Sequence, residues 1–253
     1  MEARAVSAAN LVLTVNESLR EIFGKKYRRP VFAVRNVPYR TGLVPADPLK
    51  AYAQRTLFYQ GAINEGRGLE ETVEAMKILT DWKLELVGSG DIVARLEKKV
   101  SEMGLQDRVL FRGRVRPEEL VDLAGTATLG LNLLSGQSKS YYFSLANKFF
   151  DYMQSGLPSV NMDFPEYRRL LRDHPAGIMI DALTPGKIAS EVRKLTEDRE
   201  RYVEMRQAAE AAAEEFVWEK EGPILADILR SDPVFRPFFD GALQLPANTG
   251  PVK

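Results

Sequence analysis

The sequence predicts an α/β fold: a mainly parallel, doubly wound sheet with helices on both faces, a short strand–helix unit before it and a long helix after it. Three observations carry that expectation. Short runs rich in branched and aromatic residues alternate with stretches whose apolar residues recur at helical spacing. The segments between successive runs are long enough for the crossover helices that parallel strands require. Residues that start and stop helices, such as Asn16, Gly24, Pro117 and Gly156, fall between the two patterns.

Taken in order, "LVLTV" (11–15) is a first strand, followed by a helix capped by Asn16 and stopped at Gly24. "VFAVRNVP" (31–38) is a strand and loop. Residues 1–40 make too small a unit for a core of their own. "TLFYQGAIN" (56–64) opens the sheet and leads to a helix with Leu69, Val73, Met76 and Leu79 on one stripe. "KLELVGSGD" (83–91) is the next strand and turn, before a helix carrying Val93, Leu96, Val100 and Met103 on one face. "RVLFRGRV" (108–115) is a strand, Pro117 suits the first turn of a short helix, and "ATLGLNLL" (127–134) reads as a fully buried strand. A loop then enters "ANKFFDYMQSG", a helix closed by Gly156, and the strands "LPSVNM" and "GIMID" complete six, centred near 57, 84, 109, 129, 159 and 178. The sheet region is thus expected to span 41–197, and helices 198–230. The polar, alanine-rich part from 198 to 221 reads as one long surface helix. Residues 231–253 form a tail whose last stretch, "QLPANTGPVK", reads as disordered.

Composition narrows the function classes. Lys plus Arg equals Asp plus Glu, at 35 each, so there is no basic field to gather nucleic acid. The absence of cysteine removes disulfides, thiolate nucleophiles and Cys-type zinc sites, and suits a cytoplasmic protein. His174, the single histidine, stands in a polar turn without a partner at motif spacing, so no metal or triad role is assigned to it. No run reaches the ~20 apolar residues of a membrane span, and "MEARAVSAAN" lacks a signal-peptide core. Lys25, Lys26, Arg28 and Arg29 cluster in "GKKYRRP", but with no apolar anchor beside them a solvated loop is preferred to a membrane contact.

In a doubly wound sheet, ligands sit beyond the carboxyl ends of the strands, and four loops there carry suggestive residues. "GAINEGRG" (61–68) combines three glycines with Arg67 at a helix start, which suits an anion; it is equally a flexible turn with a solvated arginine. "GSGDIV" (88–93) matches the start of a dinucleotide fingerprint, but Leu110 stands where an acidic residue is wanted, with Arg112 and Arg114 just beyond, so an NADP site stays open. In "SGQSKSYYFSLANKFFDYMQSGLPSV" (135–160), Ser144 is read as the cap of a helix whose amino end carries Asn147 and Lys148, with Asp151 one turn on. Lys148 and the helix terminus would hold a diphosphate while Asp151 accepts hydrogen bonds from a ribose diol. The plainer reading is an amphipathic helix with Phe149, Phe150 and Met153 in the core and a surface Lys–Asp pair. "FRGRV" offers backbone groups to a planar base, or is an ordinary strand end.

Together these stretches resemble, in order and context, the C-terminal half of the retaining glycosyltransferases of family 4 (group 1), which have the GT-B fold with a Rossmann-like donor domain. The resemblance covers about residues 10 to 230, ending in "RQAAEAAAEEFVWEKEGPILADIL", similar to the family's C-terminal helix, here with Phe216 and Trp218. It implies that "LVLTVNESLREIFGKKY" and "VRNVP" correspond to the end of an N-terminal domain and the linker, and that the C-terminal helix leaves apolar surface free for a missing domain. It implies a nucleoside-diphosphate sugar, of UDP or GDP type, as donor, with neither cofactor nor metal. Arg67 takes the family's diphosphate-binding lysine position and Asp151 its ribose-binding glutamate position, with Arg67 and Lys148 catalytic. Donor contacts are implied at Gly61, Arg67, Gly88, Gly90, Arg114, Ser144, Leu145, Asn147, Lys148 and Asp151. Two departures stand out: Ala62 replaces an arginine, for which Lys148 would substitute, and Phe143 replaces a glutamate that contacts the donor sugar. The expected function is hexose transfer with retention, completed by a separate N-terminal domain or by self-association. The alternatives are a nucleotide-sugar-binding module without turnover, a GT-B-type sugar epimerase, or an NADP-dependent oxidoreductase.

Overall fold

A computed structural model describes residues 2–42, 45–136 and 138–241. They fall into two compact units, residues 36–218 and residues 2–35 with 219–241. This cut differs from the sequence division: residues 198–218 go with the sheet and 219–241 with the N-terminal segment. The expected disordered stretch, 244–253, lies outside the described residues.

The smaller unit begins with α1 (Glu2–Ala8), β1 (Leu13–Thr14), α2 (Glu17–Tyr27) and β2 (Phe32–Ala33), the two strands pairing in parallel. Asn16 caps α2 as expected, its Oδ1 accepting from the Leu19 N–H at 2.9 Å. Gly24 does not stop α2; the helix runs to Tyr27 and Arg28 takes the left-handed turn with φ 52°. A glycine inside a helix costs only about 1 kcal/mol. The extra turn lets Lys26 donate to Glu2 at 3.0 Å, and Arg29 donates to the Ala9 carbonyl at 2.7 Å, so two cations of the basic cluster are engaged within the unit.

In the larger unit, α3 (Pro48–Gln54) leads into β3 (Thr56–Gln60), α4 (Leu69–Ala75), β4 (Lys83–Val87), α5 (Val93–Glu102), β5 (Val109–Gly113), α6 (Pro117–Thr126) and β6 (Leu129–Asn132). Then come α7 (Lys139–Tyr142), α8 (Asn147–Gln154), β7 (Ser159–Met162), α9 (Pro165–Asp173), β8 (Gly177–Ile180), α10 (Pro185–Glu197) and α11 (Arg199–Ala213). The six expected strands form one parallel sheet in the order β5-β4-β3-β6-β7-β8. Chain order therefore reverses between β3 and β6, which makes the carboxyl ends of those two strands the switch point of a Rossmann-like sheet. Alternation along β3 sends Leu57 and Tyr59 into the main core, while Phe58 packs with Ala124 of α6 and Tyr152 of α8. The stripes read from sequence on α4 and α5 are buried or packed against that core.

The long surface helix expected over 198–221 is instead two helices, α11 and α12 (Trp218–Ser231), and α11 is not a surface element. Tyr202, Met205, Ala209 and Ala212 are buried, because small alanines let α11 lie close against α8. Arg206 is buried too, its guanidinium donating to carbonyls of Gly125 and Ala127 near the end of α6, at 3.2 and 3.4 Å. Phe216, expected to contribute free apolar surface, is 4% exposed and packs on Phe150 and His174; Trp218 is partly buried against the same core. After α12 the described chain closes with α13 (Arg236–Gly241). No helix among the described residues is long and apolar enough to cross a membrane.

Candidate functional site

A cleft of about 640 Å³ opens beyond the carboxyl ends of β3, β4 and β5 and is closed on one side by the first turn of α8. Its walls differ in kind. One wall is backbone. The Gly61 N–H donates to the Val87 carbonyl at 2.9 Å, the Ile63 N–H to Ser89 at 3.0 Å, and the Gly88 N–H to Gly113 at 2.7 Å. The register shifts at Leu86/Val87, so that Val87 pairs with Gly113 and the chain leaves β4 in position for that last bond. Gly88 has φ +139°, and a Cβ built on it falls on the Gly61 carbonyl oxygen. Only glycine fits there.

The other wall is charged. Lys148, in the first turn of α8, places Nζ over the Tyr59 ring at 3.7 Å from its centroid. Burial, and then the Arg67 charge, lower its pKa to about 7, with Asp151 opposing. Asp151 lies one turn further on and accepts from Gln60 Nε2 at 2.9 Å. Burial raises its pKa to about 6, against the lowering effects of the Gln60 bond and Lys148. Arg67 stacks on Tyr141 at 5.1 Å, and its buried Nε has no hydrogen-bond partner among the described residues. Tyr59 is pushed up to about 12, chiefly by burial, and its hydroxyl donates to the Ala62 carbonyl at 2.6 Å. Three basic side chains, Arg67, Arg114 and Lys148, thus line the cleft with no salt bridge to a carboxylate among the described residues, and a dipole-positive helix end adds to them. The arrangement is short of negative charge. Val87, Val115 and Leu120 give the far end an apolar lining that suits a flat ring.

Of the residues singled out in the sequence, the fold brings Gly61, Arg67, Gly88, Arg114, Asn147, Lys148 and Asp151 onto this cleft. Three lie elsewhere. Gly90 packs so closely on Ile63 and Asn64 that a Cβ would overlap them, so it joins two loops. Leu145 is buried in the core. Ser144 does not cap α8; the cap position is Ala146, without a side-chain bond, and Ser144 Oγ donates to the Tyr141 carbonyl at 2.8 Å. The tight turn ending α7 spends the hydroxyl one step too early. Nor are Lys148 and Asp151 a surface pair, since both line the cleft. His174 caps the end of α9, against Glu215 and Phe216, and lines no part of the cleft. Arg112 and Arg114, on which a dinucleotide reading depended, are engaged by Glu85 at 3.0 Å and by Ser89 at 2.9 Å. No local pattern in the sequence marks Tyr59 or Tyr141 as a residue of the site. Gln60 carried one faint signal, a polar residue ending an otherwise apolar strand.

A family model described as Glycosyl transferases group 1 matches residues 54–198, more than half of the chain. No curated protein sequence matches. Among solved structures, the chain is similar to Anabaena HepE in complex with UDP, with TM-score 0.75 and 18% identity, covering 88% of this chain and 64% of that one. It is similar to the sucrose-phosphate synthase of Thermosynechococcus elongatus, with TM-score 0.76 and 18% identity over 91% and 60% of the two chains. TarM of S. aureus, in a complex that includes UDP, gives TM-score 0.72 and 15% identity over 89% and 45%. The chain therefore spans less than two thirds of the length of each of these proteins. The likeness shows the fold: an α/β, Rossmann-like sheet of the GT-B type.

Proposed function

Since the chain belongs to the group 1 glycosyl transferases, we propose that its cleft binds a nucleoside-diphosphate sugar and serves transfer of the hexose to an acceptor. The observation that carries this reading is the pair Arg67 and Lys148, two cations facing one cleft with no carboxylate salt bridge to either among the described residues. A diphosphate supplies the missing charge. Arg67, Lys148 and the amino end of α8 stabilise it as it departs, which is electrostatic catalysis by groups already in place and needs no metal. Asp151 accepts from the ribose hydroxyls, and Val87, Val115 and Leu120 receive the base. The UDP present in two of the similar structures supports a uridine donor. Family 4 membership, retention of anomeric configuration and a cytoplasmic location complete the proposal.

Acceptor binding we assign to protein outside residues 36–218, whether more of the same polypeptide or a partner. Well-oriented reactants can lower a barrier by ~7–11 kcal/mol, so turnover should depend on that second wall. A binding module without turnover is the second reading. It is favoured by Ala62, which lines the cleft where a further cation would stand in the resembling family. The decisive experiment is calorimetric titration with UDP and uridine, followed by a radiolabelled-donor transfer assay with and without a candidate second domain. Arg67→Ala should weaken UDP binding more than uridine binding. Equal weakening of both would remove Arg67 from the diphosphate.

A further inference from the structure

We propose that Gln60 is a positioning residue for nucleotide recognition: its carboxamide holds Asp151 Oδ2, aims the rest of that carboxylate at the ribose diol, and sets a preference for ribo- over 2′-deoxyribonucleotides. The inference rests on the reading of Asp151 as the ribose acceptor.

The geometry is specific. Gln60 is the last residue of β3, 7% exposed, and lines the cleft beside Asp151. Its Nε2 donates to Asp151 Oδ2 at 2.9 Å, while its backbone N–H donates to the Tyr152 hydroxyl at 3.3 Å, so strand and side chain are both tied to α8. A carboxamide has two N–H donors, and a carboxylate about four acceptor sites. One Gln60–Asp151 bond therefore leaves acceptor capacity on Asp151 for two hydroxyls. The bond also favours the ionised carboxylate, the form that accepts from both hydroxyls of a diol. Burial works the other way and holds Asp151 high, so the Gln60 bond bears on which form is present near neutrality. Ionisable groups flank Asp151. Lys148 and Tyr152 stand on its own helix, Tyr59 and Arg67 come from β3 and the loop after it, and Arg114 follows β5. The adjoining lining contributed by α6 and by the segment before α3 is Pro117, Leu120, Val121, Pro38 and Thr41, none of which is ionisable. Among these neighbours Gln60 alone donates a hydrogen bond to the Asp151 side chain.

The test uses the full chain, with Gln60→Leu and Gln60→Glu as variants and UDP and 2′-deoxy-UDP as probes, titrated calorimetrically from about pH 5 to pH 8. In the unaltered protein, UDP affinity should fall as the pH drops through the Asp151 value. In Gln60→Leu that acid limb should move up by about one pH unit, and UDP should bind about two-fold more weakly near pH 7 and about ten-fold more weakly near pH 5. The 2′-deoxy ligand should lose much less. Gln60→Glu should bind weakly at the alkaline end of this range and recover as falling pH lets the two carboxyls share one proton, because the shared proton restores the donor. A carbon NMR titration of the Asp151 carboxyl in ligand-free protein separates this inference from the donor reading. Its midpoint should rise in Gln60→Leu whether or not UDP binds. An unmoved midpoint, or equal losses for the two ligands, overturns the role of Gln60 even if UDP binds. Absence of UDP binding by the unaltered chain overturns the donor reading and, with it, the ribose preference assigned here.

Discussion

The two walls of the cleft are built by opposite means. The loops after β3 and β4 hold their shape by backbone bonds and by having no room for a side chain at Gly88 or Gly90. The first turns of α8 hold Lys148 and Asp151 in surroundings that disfavour the charge of each. One wall is stable because it is full. The other is costly until something anionic and hydroxylated arrives. Stability and binding should therefore separate cleanly when the walls are altered in turn.

The largest expected effect is on the full wall. Gly88→Ala places a methyl on the Gly61 carbonyl and demands a φ that L residues rarely adopt, so it should cost about 3 kcal/mol or more. Denaturant unfolding measures it. A loss under 1 kcal/mol would mean that the two loops are not locked together.

The charged wall should behave in reverse. Lys148→Met keeps the stem and removes a cation that sits on an aromatic face, forms no salt bridge among the described residues and has only the Asp151 charge to oppose its desolvation. UDP affinity should fall by about 10- to 100-fold, the size of a charge-assisted bond worth 1.5–3 kcal/mol. The melting temperature of the empty protein should hold or rise, since an unneutralised, partly buried charge is removed. Loss of both stability and affinity would place Lys148 with the structural residues.

The pH dependence follows from the same two side chains. Lys148 is held near 7 in the native state against 10.5 unfolded, so between those values the unfolded chain binds more protons and its contribution to stability rises with pH. Asp151 is held near 6 against 3.8, so its contribution is present below 3.8 and lost as pH rises to 6. Between about 6 and 7 both are at their least favourable. Binding of a diphosphate should restore the ammonium, so calorimetry near pH 8 in buffers of different ionisation enthalpy should show uptake of up to about one proton per ligand. Uptake of none would sink the assignment of Lys148 to the phosphates.

How much of this was legible in the sequence depended on distance along the chain. Strands such as "LELV" and "ATLGLNLL" declare themselves through local runs, and the stripe Leu69, Val73, Met76, Leu79 through local spacing. The Gln60–Asp151 bond spans 91 residues and exists because the switch point sets β3 beside β6 and the helix that follows. The stacking of Lys148 on Tyr59 has the same origin, and no local pattern announces either. Ser144 failed as a cap because helix starts are decided by backbone angles, and those angles put Ala146 at the cap. Arg206 hid the buried face of α11, since a guanidinium reads as solvated until the carbonyls that receive it are known.

The smallest effect sharpens the comparison most. Gly113 also has a positive φ, +65°, and its carbonyl accepts the Gly88 N–H, so it belongs to the same backbone wall. Yet a Cβ built on it meets nothing within 4 Å. Gly113→Ala therefore bears the left-handed conformation and no collision, a cost of about 1–2 kcal/mol. Gly113→Asn should recover part of that, because asparagine tolerates this region. Neither change touches the carbonyl that holds Gly88, so UDP affinity should stay within about two-fold, below 0.5 kcal/mol. If steric exclusion is what distinguishes the full wall, Gly88→Ala must be clearly worse than Gly113→Ala and gain nothing from asparagine. Equal losses at the two positions, measured by the same denaturant unfolding, would show that backbone conformation alone governs this wall and that the contact between the loops after β3 and β4 is incidental.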